Sequence, residues 1–440
     1  NAGDAATVKN SGYSRELAMI SWFGRVNYDY AGKYLFEANI RADASSRFAK
    51  GHRWGYFPSF SAAWRISEEA FMEEAVGWLT DLKIRGSYGN LGNQSALSDF
   101  YPWMNSYDLD AHYSLNGSLQ TGYHQKNYKI ATISWEKART WGVGIDATLF
   151  GKLTVGLDYY DRKTTGIIMD VPVPAEFGLG AYKDNVGAMV NRGVELTLNY
   201  NESWDDWSFG VSANLAYNKN KVLYLDGVQS LADGDLKVKQ VGAAYGTYRL
   251  YKTGGFFQSD EEAKRWQEKH KNDAGYPFKR DFKAGDLIYM DTNEDGLINA
   301  DDRVLCGSSN PSYTFGLNLS AGYKSIDCSV MLTGVADVKR MIDINGFGGE
   351  WSGDDCHPNN IWLDAWTPDN RDAKMPRIAV GKTSNNLEYS DFWLQDGSYL
   401  RLKNLQLGYT LPKKILKSMG VENLRVYYSG ENLLTFHKMM

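Results

Sequence analysis

An acidic segment has the oxygen-bearing residues and the spacing of a calcium-binding loop. It begins at Asp291 and places Asn293 and Asp295 at its third and fifth positions, with a glycine for a sharp turn at the sixth. Leu297 offers a backbone carbonyl at the seventh position, and Asp302 supplies a carboxylate at the twelfth, where the longer Glu is usual. Clustered carboxylates without a cation repel one another. We predict a structural Ca²⁺ or Mg²⁺ at this loop, and the alternative is a solvated acidic turn.

Aromatic side chains in two polar loops form a second candidate site. Exposed Trp and Tyr rings among Asn and Asp can stack on sugar rings or hold peptide side chains. Such rings more often pack a long loop onto itself or line the interface with a partner protein. The candidate substrate-binding residues are Tyr101, Trp103, Trp351, Trp362, Trp366 and Trp393.

Patterns typical of catalysis are not found in the sequence. The 6 histidines show no HExxH or other ligand spacing, and there is no GxSxG, phosphate-binding or dinucleotide-binding fingerprint. Paired glutamates at 68–69 and 73–74 fall on a short surface helix, where a solvated face is expected rather than acid–base chemistry. We therefore predict no catalytic residue, and a glycoside hydrolase using two carboxylates is the least favoured alternative.

The composition excludes two classes of protein. A net charge of −5 and the lack of a basic stripe argue against nucleic-acid binding. No run approaches the ~20 apolar residues that a membrane-spanning helix needs. The 29 Tyr, 14 Trp and 44 Gly instead indicate an aromatic, glycine-punctuated β protein. The 3 cysteines have no CxxC spacing, so a disulfide framework is not expected.

Alternating side chains predict the strands that position these loops. The clearest example is Trp207–Asn218, which has one apolar face and one small, polar face. The two faces carry Phe209, Val211, Ala213, Leu215 and Tyr217 against Gly210, Ser212, Asn214, Ala216 and Asn218. Charges on the polar faces are candidates for shaping a solute path, but ion pairs along the wall, or contact with a domain enclosed by the strands, are expected instead. They include Glu37, Arg41, Asp43, Asp146, Asp158 and Glu195.

The same alternation predicts about twelve strands. They are Leu17–Tyr30, Tyr34–Arg47, Trp54–Ile66, Leu82–Leu91, Trp141–Phe150, Leu153–Asp161, Val190–Tyr200, Trp207–Asn218, Tyr313–Tyr323, Ile326–Asp337, Tyr399–Leu411 and Leu424–Leu434. Five local features are also predicted: a bulge at Pro58, a helix with Ser67 as its N-cap, a type II′ turn at Gly151–Lys152, a helix near Asp260–Lys271, and a helical turn at Pro412–Met419.

If each strand runs once from one end of the sheet to the other, the short connections and the long connections fall mostly at opposite ends. One side receives 31–33, 67–80, 151–152, 201–206, 324–325 and 412–420, and the other receives 48–53, 92–138, 162–189, 219–311 and 338–397. Short periplasmic turns opposite long extracellular loops are typical of an outer-membrane β-barrel. A soluble meander has no reason to separate them. We therefore predict an all-β, transmembrane antiparallel β-barrel with long extracellular loops. Closure is not expected from these strands alone, so the sequence is predicted to be a fragment.

Several segments resemble the SusC/RagA family of TonB-dependent outer-membrane transporters. The first is SWFGRVNYDYAGKYLFEANIRADASSRFAKGHRWGYFPSFSAAWRISEE. Later matches follow in order: LKIRGSYGNLGNQ, LTVGLDYYDRKTTGII, NVGAMVNRGVELTLNY, MDTNEDGLINADDR and SYLRLKNLQLGYTLP. The resemblance covers nearly the whole chain.

This resemblance implies a plug-gated importer of oligosaccharides or peptides with 22 barrel strands, of which residues 1–440 would form about the tenth to the twenty-first. The plug, the TonB box, the early strands and the closing strand would then lie outside this chain. Implied partners are outer-membrane lipid, TonB with ExbB and ExbD, and a SusD-like surface lipoprotein as lid. The alternative function is a soluble or surface-attached all-β glycan-binding module that uses the Trp-rich loops.

Overall fold

The fold consists almost entirely of β-strands. The computed structural model describes residues 12–75, 77–125, 128–171, 173–226, 230–233, 236–271, 275–342, 350–351, 360–380, 384–412, 416–417 and 420–439. The strands in these ranges are β1 (Met19–Tyr30), β2 (Tyr34–Ser45), β3 (Trp54–Arg65), β4 (Leu79–Asn93), β5 (Tyr107–Leu115), β6 (Ser118–Gln125), β7 (Glu136–Leu149), β8 (Leu153–Val171), β9 (Tyr182–Trp204), β10 (Trp207–Leu225), β11 (Ser230–Asp233), β12 (Lys237–Gln240), β13 (Thr247–Leu250), β14 (Thr253–Phe256), β15 (Leu287–Tyr289), β16 (Val304–Ser308), β17 (Tyr313–Tyr323), β18 (Ile326–Ala336), β19 (Lys339–Met341), β20 (Glu350–Trp351), β21 (Ala379–Val380), β22 (Leu394–Asp396), β23 (Tyr399–Thr410) and β24 (Arg425–His437).

Helices are few. The α-helix α1 spans Asp260–His270, and short 3-10 helices lie at Ile66–Glu68, Ala70–Ala75, Ala175–Phe177, Ala300–Asp302, Asn360–Asp364 and Asp391–Trp393. Ser259 caps α1 by accepting a hydrogen bond from the Glu262 amide (3.2 Å), which confirms the helix predicted near Asp260–Lys271. Within the ranges given above, none of the helices is both long enough and apolar enough to cross a membrane.

The twelve predicted strands form one antiparallel sheet. Its strand order is β1-β2-β3-β4-β7-β8-β9-β10-β17-β18-β23-β24, which keeps the sequence order and confirms the predicted all-β fold class. The twelve remaining strands pair into smaller sheets inside the long connections. They are β11-β12-β13-β16, β14-β15, β19-β22, β20-β21 and β5-β6. Hydrophobic alternation therefore located the strands whose two faces have different solvents.

Several strands extend further than the sequence predicted. The strand predicted to end at Asp161 continues to Val171, and the strand predicted over Val190–Tyr200 spans Tyr182–Trp204. The added segments contain residues buried within the protein, such as Ile168, Met169 and Val186. Where a strand packs against other parts of the protein, no regular alternation of apolar and polar residues is required, although the backbone can still pair. Sequence periodicity therefore underestimates strand length outside the apolar band.

The turn after β7 differs from the prediction. Phe150 and Gly151 both have positive φ, 54° and 64°, and the Lys152 amide donates to the Leu149 carbonyl (3.0 Å). Two central residues with positive φ define a type I′ turn rather than the predicted type II′, which requires positive φ only at its first central residue. The type I′ turn could not be predicted from the sequence, because the Phe at the first central position, unlike the Gly at the second, does not indicate a left-handed conformation.

Pro58 does not produce the predicted bulge. The β2–β3 register is continuous through Ile40↔Pro58, and the pairing of β3 with β4 runs from Ser59↔Gly89 onward. The proline therefore lies where pairing with β4 ends, and its missing N–H is tolerated there.

Ser67 is not a helix N-cap. Its hydroxyl donates to Asp81 Oδ1 (2.9 Å) instead of accepting from a helical amide. The segment forms two 3-10 helices, Ile66–Glu68 and Ala70–Ala75, because a single turn offers too few backbone bonds to continue as an α-helix here. The helical turn predicted at Pro412–Met419 lies partly outside the described residues. Within the described part of this segment, Leu416 and Lys417 are helical.

The chain divides into two compact units. Unit 1 comprises Asn1–Ala147, Asp158–Arg192 and Leu223–Val228, and unit 2 comprises Thr148–Leu157, Gly193–Val222 and Gln229–Met440. Unit 1 has an apolar core that we call the Phe57 cluster, made of Phe48, Phe57, Leu97, Ile133, Trp135 and Ile168. Unit 2 has two cores, both built from its long connections. One contains Tyr251, Phe257, Ala263, Phe278, Phe282, Leu287, Tyr289 and Ile298, and the other contains Trp362, Ala365, Met375 and Trp393.

Candidate functional site

Polar side chains lie in rows across β1 to β4 on the face opposite the apolar one. The register places Asn27 beside Glu37, Glu37 beside Ser61, and Ser61 beside Ser87. The next row continues this pattern with Arg25 beside Asn39. A cavity of about 1130 Å³ opens over these rows. Unit 1 therefore presents a concave surface on which hydroxyl, amide and charged groups alternate with apolar and aromatic side chains such as Phe23 and Phe57.

Charged side chains bordering this cavity are held by neighbouring side chains. Arg25 Nε donates to Asn39 Oδ1 (2.7 Å), and Asn39 Nδ2 donates to Glu37 Oε1 (2.6 Å). Arg41 Nε donates to Asp43 Oδ2 (2.7 Å), which makes an ion pair. Arg25 and Glu37 thus share the neutral Asn39 amide, and the surface offers fixed hydrogen-bonding groups of both signs to a polar solute.

A second charged group lies on β4, β7 and β8 of unit 1. Arg85 Nε donates to Asp146 Oδ2 (2.9 Å), and Arg85 NH2 donates to Asp158 Oδ2 (2.6 Å). Lys83 Nζ also lies 2.9 Å from Asp146 Oδ2. Gly144 leaves the space for this network, because a Cβ there would lie 2.4 Å from Asp158 Oδ1. Arg41, Asp43, Asp146 and Asp158 therefore form predicted ion pairs, whereas Glu37 accepts from the neutral Asn39 amide.

The Phe57 cluster supports one end of the cavity. The Phe57 ring meets Trp135 edge-on, with centroids 5.6 Å apart, and both residues line the cavity. Glycines form a slot for the ring, since a Cβ on Gly92 would lie 2.0 Å from Phe57 Cζ and one on Gly55 would lie 2.3 Å from it. Trp135 Nε1 donates to the Arg53 carbonyl (2.8 Å), which fixes the indole.

Two of the candidate substrate-binding aromatics lie in the connection that follows β4. Tyr101 and Trp103 are both half-buried, and Trp103 packs against the Phe57 cluster. The Tyr101 carbonyl accepts from Lys129 Nζ (3.1 Å), and the same ammonium donates to Asp99 Oδ2 (2.5 Å). Although burial opposes it, Lys129 holds the pKa of the Asp99 carboxyl below its usual range. These contacts order the connection and leave part of each ring accessible.

The candidate tryptophans of unit 2 lie mostly inside the protein. Trp362, Trp366 and Trp393 have relative exposures of 5%, 7% and 1%. Trp393 Nε1 donates to the Asn386 carbonyl (2.8 Å). In this arrangement the three rings pack the long connection and offer little surface to a solute. The backbone of Trp351 pairs with Val380, and its side chain lies outside the described residues.

A buried ion pair that sequence reasoning missed joins two long connections of unit 2. Asp286 is completely buried, and its Oδ1 lies 2.6 Å from Arg377 Nε. Asn386 Nδ2 also donates to Asp286 Oδ1 (2.9 Å), and Asn386 Oδ1 accepts from the Leu287 amide (2.8 Å). We call Asp286, Arg377 and Asn386 the Asp286 junction. The partners are about 100 residues apart in the chain, so no local pattern announces them.

The predicted calcium loop has the internal hydrogen bonds of a tight acidic loop. Asp291 Oδ2 accepts from the Gly296 amide (2.8 Å). Asn293 Oδ1 accepts from the Asp295 amide (3.1 Å), and Asp295 Oδ1 accepts from the Leu297 amide (2.8 Å). Each of the first three predicted ligand side chains thus holds its own turn of backbone. Asp295 Oδ2 also accepts from Asn293 Nδ2 (3.0 Å), so the side-chain oxygen left without a hydrogen bond among these three is Asp291 Oδ1.

The carboxylate at the twelfth position already accepts hydrogen bonds from the loop backbone. Asp302 is completely buried, and its two oxygens accept from the Thr292 amide (2.8 Å) and the Asn299 amide (2.9 Å). The buried Asp291 Oδ1 has no hydrogen-bond partner among the described residues. Within the same residues, no three or more His, Cys, Asp or Glu side chains are grouped closely enough to hold a metal. A cation would therefore depend on amide and carbonyl oxygens as well as on carboxylates.

Comparison with known proteins identifies the family. Residues 1–336 match the family described as TonB dependent receptor-like, beta-barrel. The chain is 31% identical over 447 residues to TonB-dependent receptor P3 of Formosa agariphila, covering 99% of this chain and 42% of that protein. It is 26% identical over 449 residues to TonB-dependent receptor SusC of Bacteroides thetaiotaomicron, covering 98% of this chain and 41% of that protein.

Solved structures agree with this match. The structure of the RagAB peptide transporter superposes with a TM-score of 0.78 at 25% identity, covering 96% of this chain and 44% of that chain. The RagAB peptide importer in its closed-closed state superposes with a TM-score of 0.77 at 26% identity, over 97% of this chain and 45% of that one. The chain spans about two fifths of the length of the curated relatives it matches. It belongs to the TonB-dependent receptor β-barrel family, within its SusC/RagA group, and is an outer-membrane protein.

Proposed function

We propose that the protein imports oligosaccharides or peptides across the outer membrane, and that this chain supplies part of the barrel wall and several extracellular loops. The observation that carries the proposal is the polar face of β1–β4, whose hydrogen-bonded side chains line a cavity of about 1130 Å³ within a transporter fold. Family membership favours this function over the soluble glycan-binding module. It also favours transport over hydrolysis, because the family is one of receptors and transporters.

The residues of this chain contribute to import by lining a hydrated path for the solute. The Arg25–Asn39–Glu37 chain of hydrogen bonds fixes polar groups that can exchange with a passing solute. Arg25 and Glu37 are both held by the neutral Asn39 amide, so these groups keep their positions as the solute passes. No covalent step is needed.

We propose different roles for the candidate aromatics according to their burial. The half-buried Tyr101 and Trp103 remain candidates for contact with a sugar ring or a peptide side chain. Trp362, Trp366 and Trp393 are proposed to hold the shape of the loops around the substrate. Trp351 stays a candidate from the sequence alone.

The proposal includes the partners implied by the resemblance. A SusD-like surface lipoprotein would cover the long loops, and TonB with ExbB and ExbD would act on a plug and TonB box that lie outside residues 1–440. RagAB is a peptide transporter and importer, which supports a peptide cargo for this protein.

Co-purification tests this assembly. The full-length protein should be extracted from its native membrane in mild detergent, and its subunits should be identified by mass spectrometry. We expect a surface lipoprotein in equimolar amount. A protein that needs no detergent and carries no lipoprotein would contradict the importer and support the glycan-binding module.

We also propose that Asp291, Asn293, Asp295, Leu297 and Asp302 bind a structural Ca²⁺ or Mg²⁺. The support is the buried, unpartnered Asp291 Oδ1 within a loop of calcium-binding spacing. His270 Nδ1 lies 3.1 Å from the Gly296 carbonyl, so a bound ion would also stiffen the contact between the loop and α1.

Removal of the ion should loosen this loop. Ca²⁺ at 100 times its dissociation constant stabilises the bound form by about 2.7 kcal/mol, so protease cleavage within residues 272–303 should slow after Ca²⁺ is added to EDTA-treated full-length protein. Asp291→Asn should abolish the response, and the exposed Asp301→Asn is the matched control that should keep it. Equal protection of Asp291→Asn and the native protein would contradict the site.

A further inference from the structure

A groove of about 500 Å³ lies on the apolar face of unit 1 near the short turns. The register across β1 to β4 aligns two rows of side chains there. One row is Tyr28, Phe36, Ala62 and Gly86, and the row nearer the turns is Tyr30, Tyr34, Trp64 and Ile84. The groove therefore lies between adjacent strands at a fixed position on the lipid-facing side.

Two small residues make the floor of this groove. On β3, Ala62 lies between the large side chains of Trp64 and Phe60 on the same face, and Gly86 of β4 is its direct neighbour. A Cβ added to Gly86 would meet nothing closer than a backbone oxygen at 3.8 Å, so the space above the floor is open. Val143 lines the groove at its β7 side. The concavity is thus bounded by large apolar side chains on several sides.

Charges of both signs lie at the turn end of the groove. Glu69 accepts hydrogen bonds from Tyr34 Oη (2.7 Å), Trp64 Nε1 (3.1 Å) and Lys33 Nζ (3.1 Å). Lys33 remains 30% exposed and Glu69 15% exposed. The neighbouring Arg65 alternates with Trp64 along β3 and belongs to the polar face, away from the groove. Lys33 offers a cation for a phosphate, and Glu69 offers a carboxylate for an ammonium group.

We propose that this groove retains one phospholipid of the periplasmic leaflet, with an acyl chain over Ala62 and Gly86 and a zwitterionic headgroup at Lys33 and Glu69. The groove is continuous with the membrane-facing surface of an outer-membrane barrel, so a lipid tail is the apolar group that reaches it. The short turns place it at the periplasmic side. The mixed charges favour an ethanolamine headgroup, which carries both a phosphate and an ammonium.

Native mass spectrometry of the full-length protein tests the acyl-chain contact. Delipidated protein in mild detergent should be titrated with phosphatidylethanolamine. Filling the floor with Ala62→Leu plus Gly86→Leu should weaken retention of the first lipid about fivefold or more, since buried methylenes carry most of the binding. Ala213→Leu, on the apolar face of β10 and outside the groove, is the matched control and should bind as the native protein does. Equal retention by all three proteins would overturn the proposal.

A second comparison isolates the headgroup. Native protein should retain phosphatidylethanolamine in preference to a diacylglycerol with the same chains, and Lys33→Gln should remove that preference without changing diacylglycerol binding. No preference in the native protein would overturn the headgroup assignment. Resistance of the barrel to SDS without heating should be recorded for every variant, so that a change in lipid binding is read only from folded protein.

Discussion

Asp286→Ala is expected to loosen two long connections of unit 2 together. Removing the carboxylate leaves the Arg377 guanidinium, only 18% exposed, without its close partner and takes away the acceptor of Asn386 Nδ2. Breaking one side of a buried ion pair costs about 3–5 kcal/mol. That loss of free energy should accelerate hydrogen exchange by about two or more orders of magnitude at backbone amides near 285–289 and 377–387.

Double substitution distinguishes a buried pair from general damage. Asp286→Leu with Arg377→Met should cost less than Asp286→Ala alone, because the pair is replaced by apolar side chains and no charge is left unpaired. Asp372→Ala, an exposed aspartate in the same connection, is the control and should leave exchange unchanged. Faster exchange near only one of the two segments would contradict the junction as a link between them.

Gly92→Ala is expected to disrupt the Phe57 cluster. The new methyl would lie 2.0 Å from Phe57 Cζ, so the ring must leave its slot and its contact with Trp135. Overpacking of this kind costs about 1–3 kcal/mol, and emptying the site with Phe57→Ala costs about 3–5 kcal/mol. Both should appear as faster hydrogen exchange and protease cleavage in the connection between β4 and β7, which contributes Leu97 and Ile133 to the cluster.

Combining Phe57→Ala with Gly92→Ala tests the steric contact more directly than either substitution alone. In a Phe57→Ala background, Gly92→Ala should add little to the loss of stability, because the ring atom with which its methyl would clash is absent. Gly24→Ala on β1, where a Cβ meets nothing closer than 3.9 Å, is the matched control. Fully additive costs for the two cluster substitutions would contradict the proposed steric contact.

The strands could be predicted from the sequence because the solvent on each face dictates its residues. In Trp207–Asn218 every second residue is apolar, and the structure places this segment in the large sheet beside Tyr313–Tyr323. The extension of β9 back to Tyr182 could not be predicted, since those residues lie outside the apolar band and carry no alternation. Likewise, the turn at Phe150 depends on a backbone conformation that its side chain does not signal.

The candidate sites were harder to predict because burial is decided by distant parts of the chain. Trp393 reads as a loop aromatic in the sequence, yet Trp362 and Asn386 enclose it. Asp286 has no neighbouring partner in the sequence and acquires Arg377 only through folding. The acidic loop differs, because its spacing is local and its internal hydrogen bonds follow from residues within twelve positions.

Uptake by intact cells tests the central claim most directly. Cells carrying the full-length protein and cells lacking its gene should be incubated with an oligosaccharide mixture and with a casein digest, and depletion of each compound should be followed by mass spectrometry. We predict faster depletion of a subset of one mixture when the protein is present, and loss of that difference when TonB is removed. Equal depletion by both cell types in both mixtures, or uptake that continues without TonB, would contradict the importer.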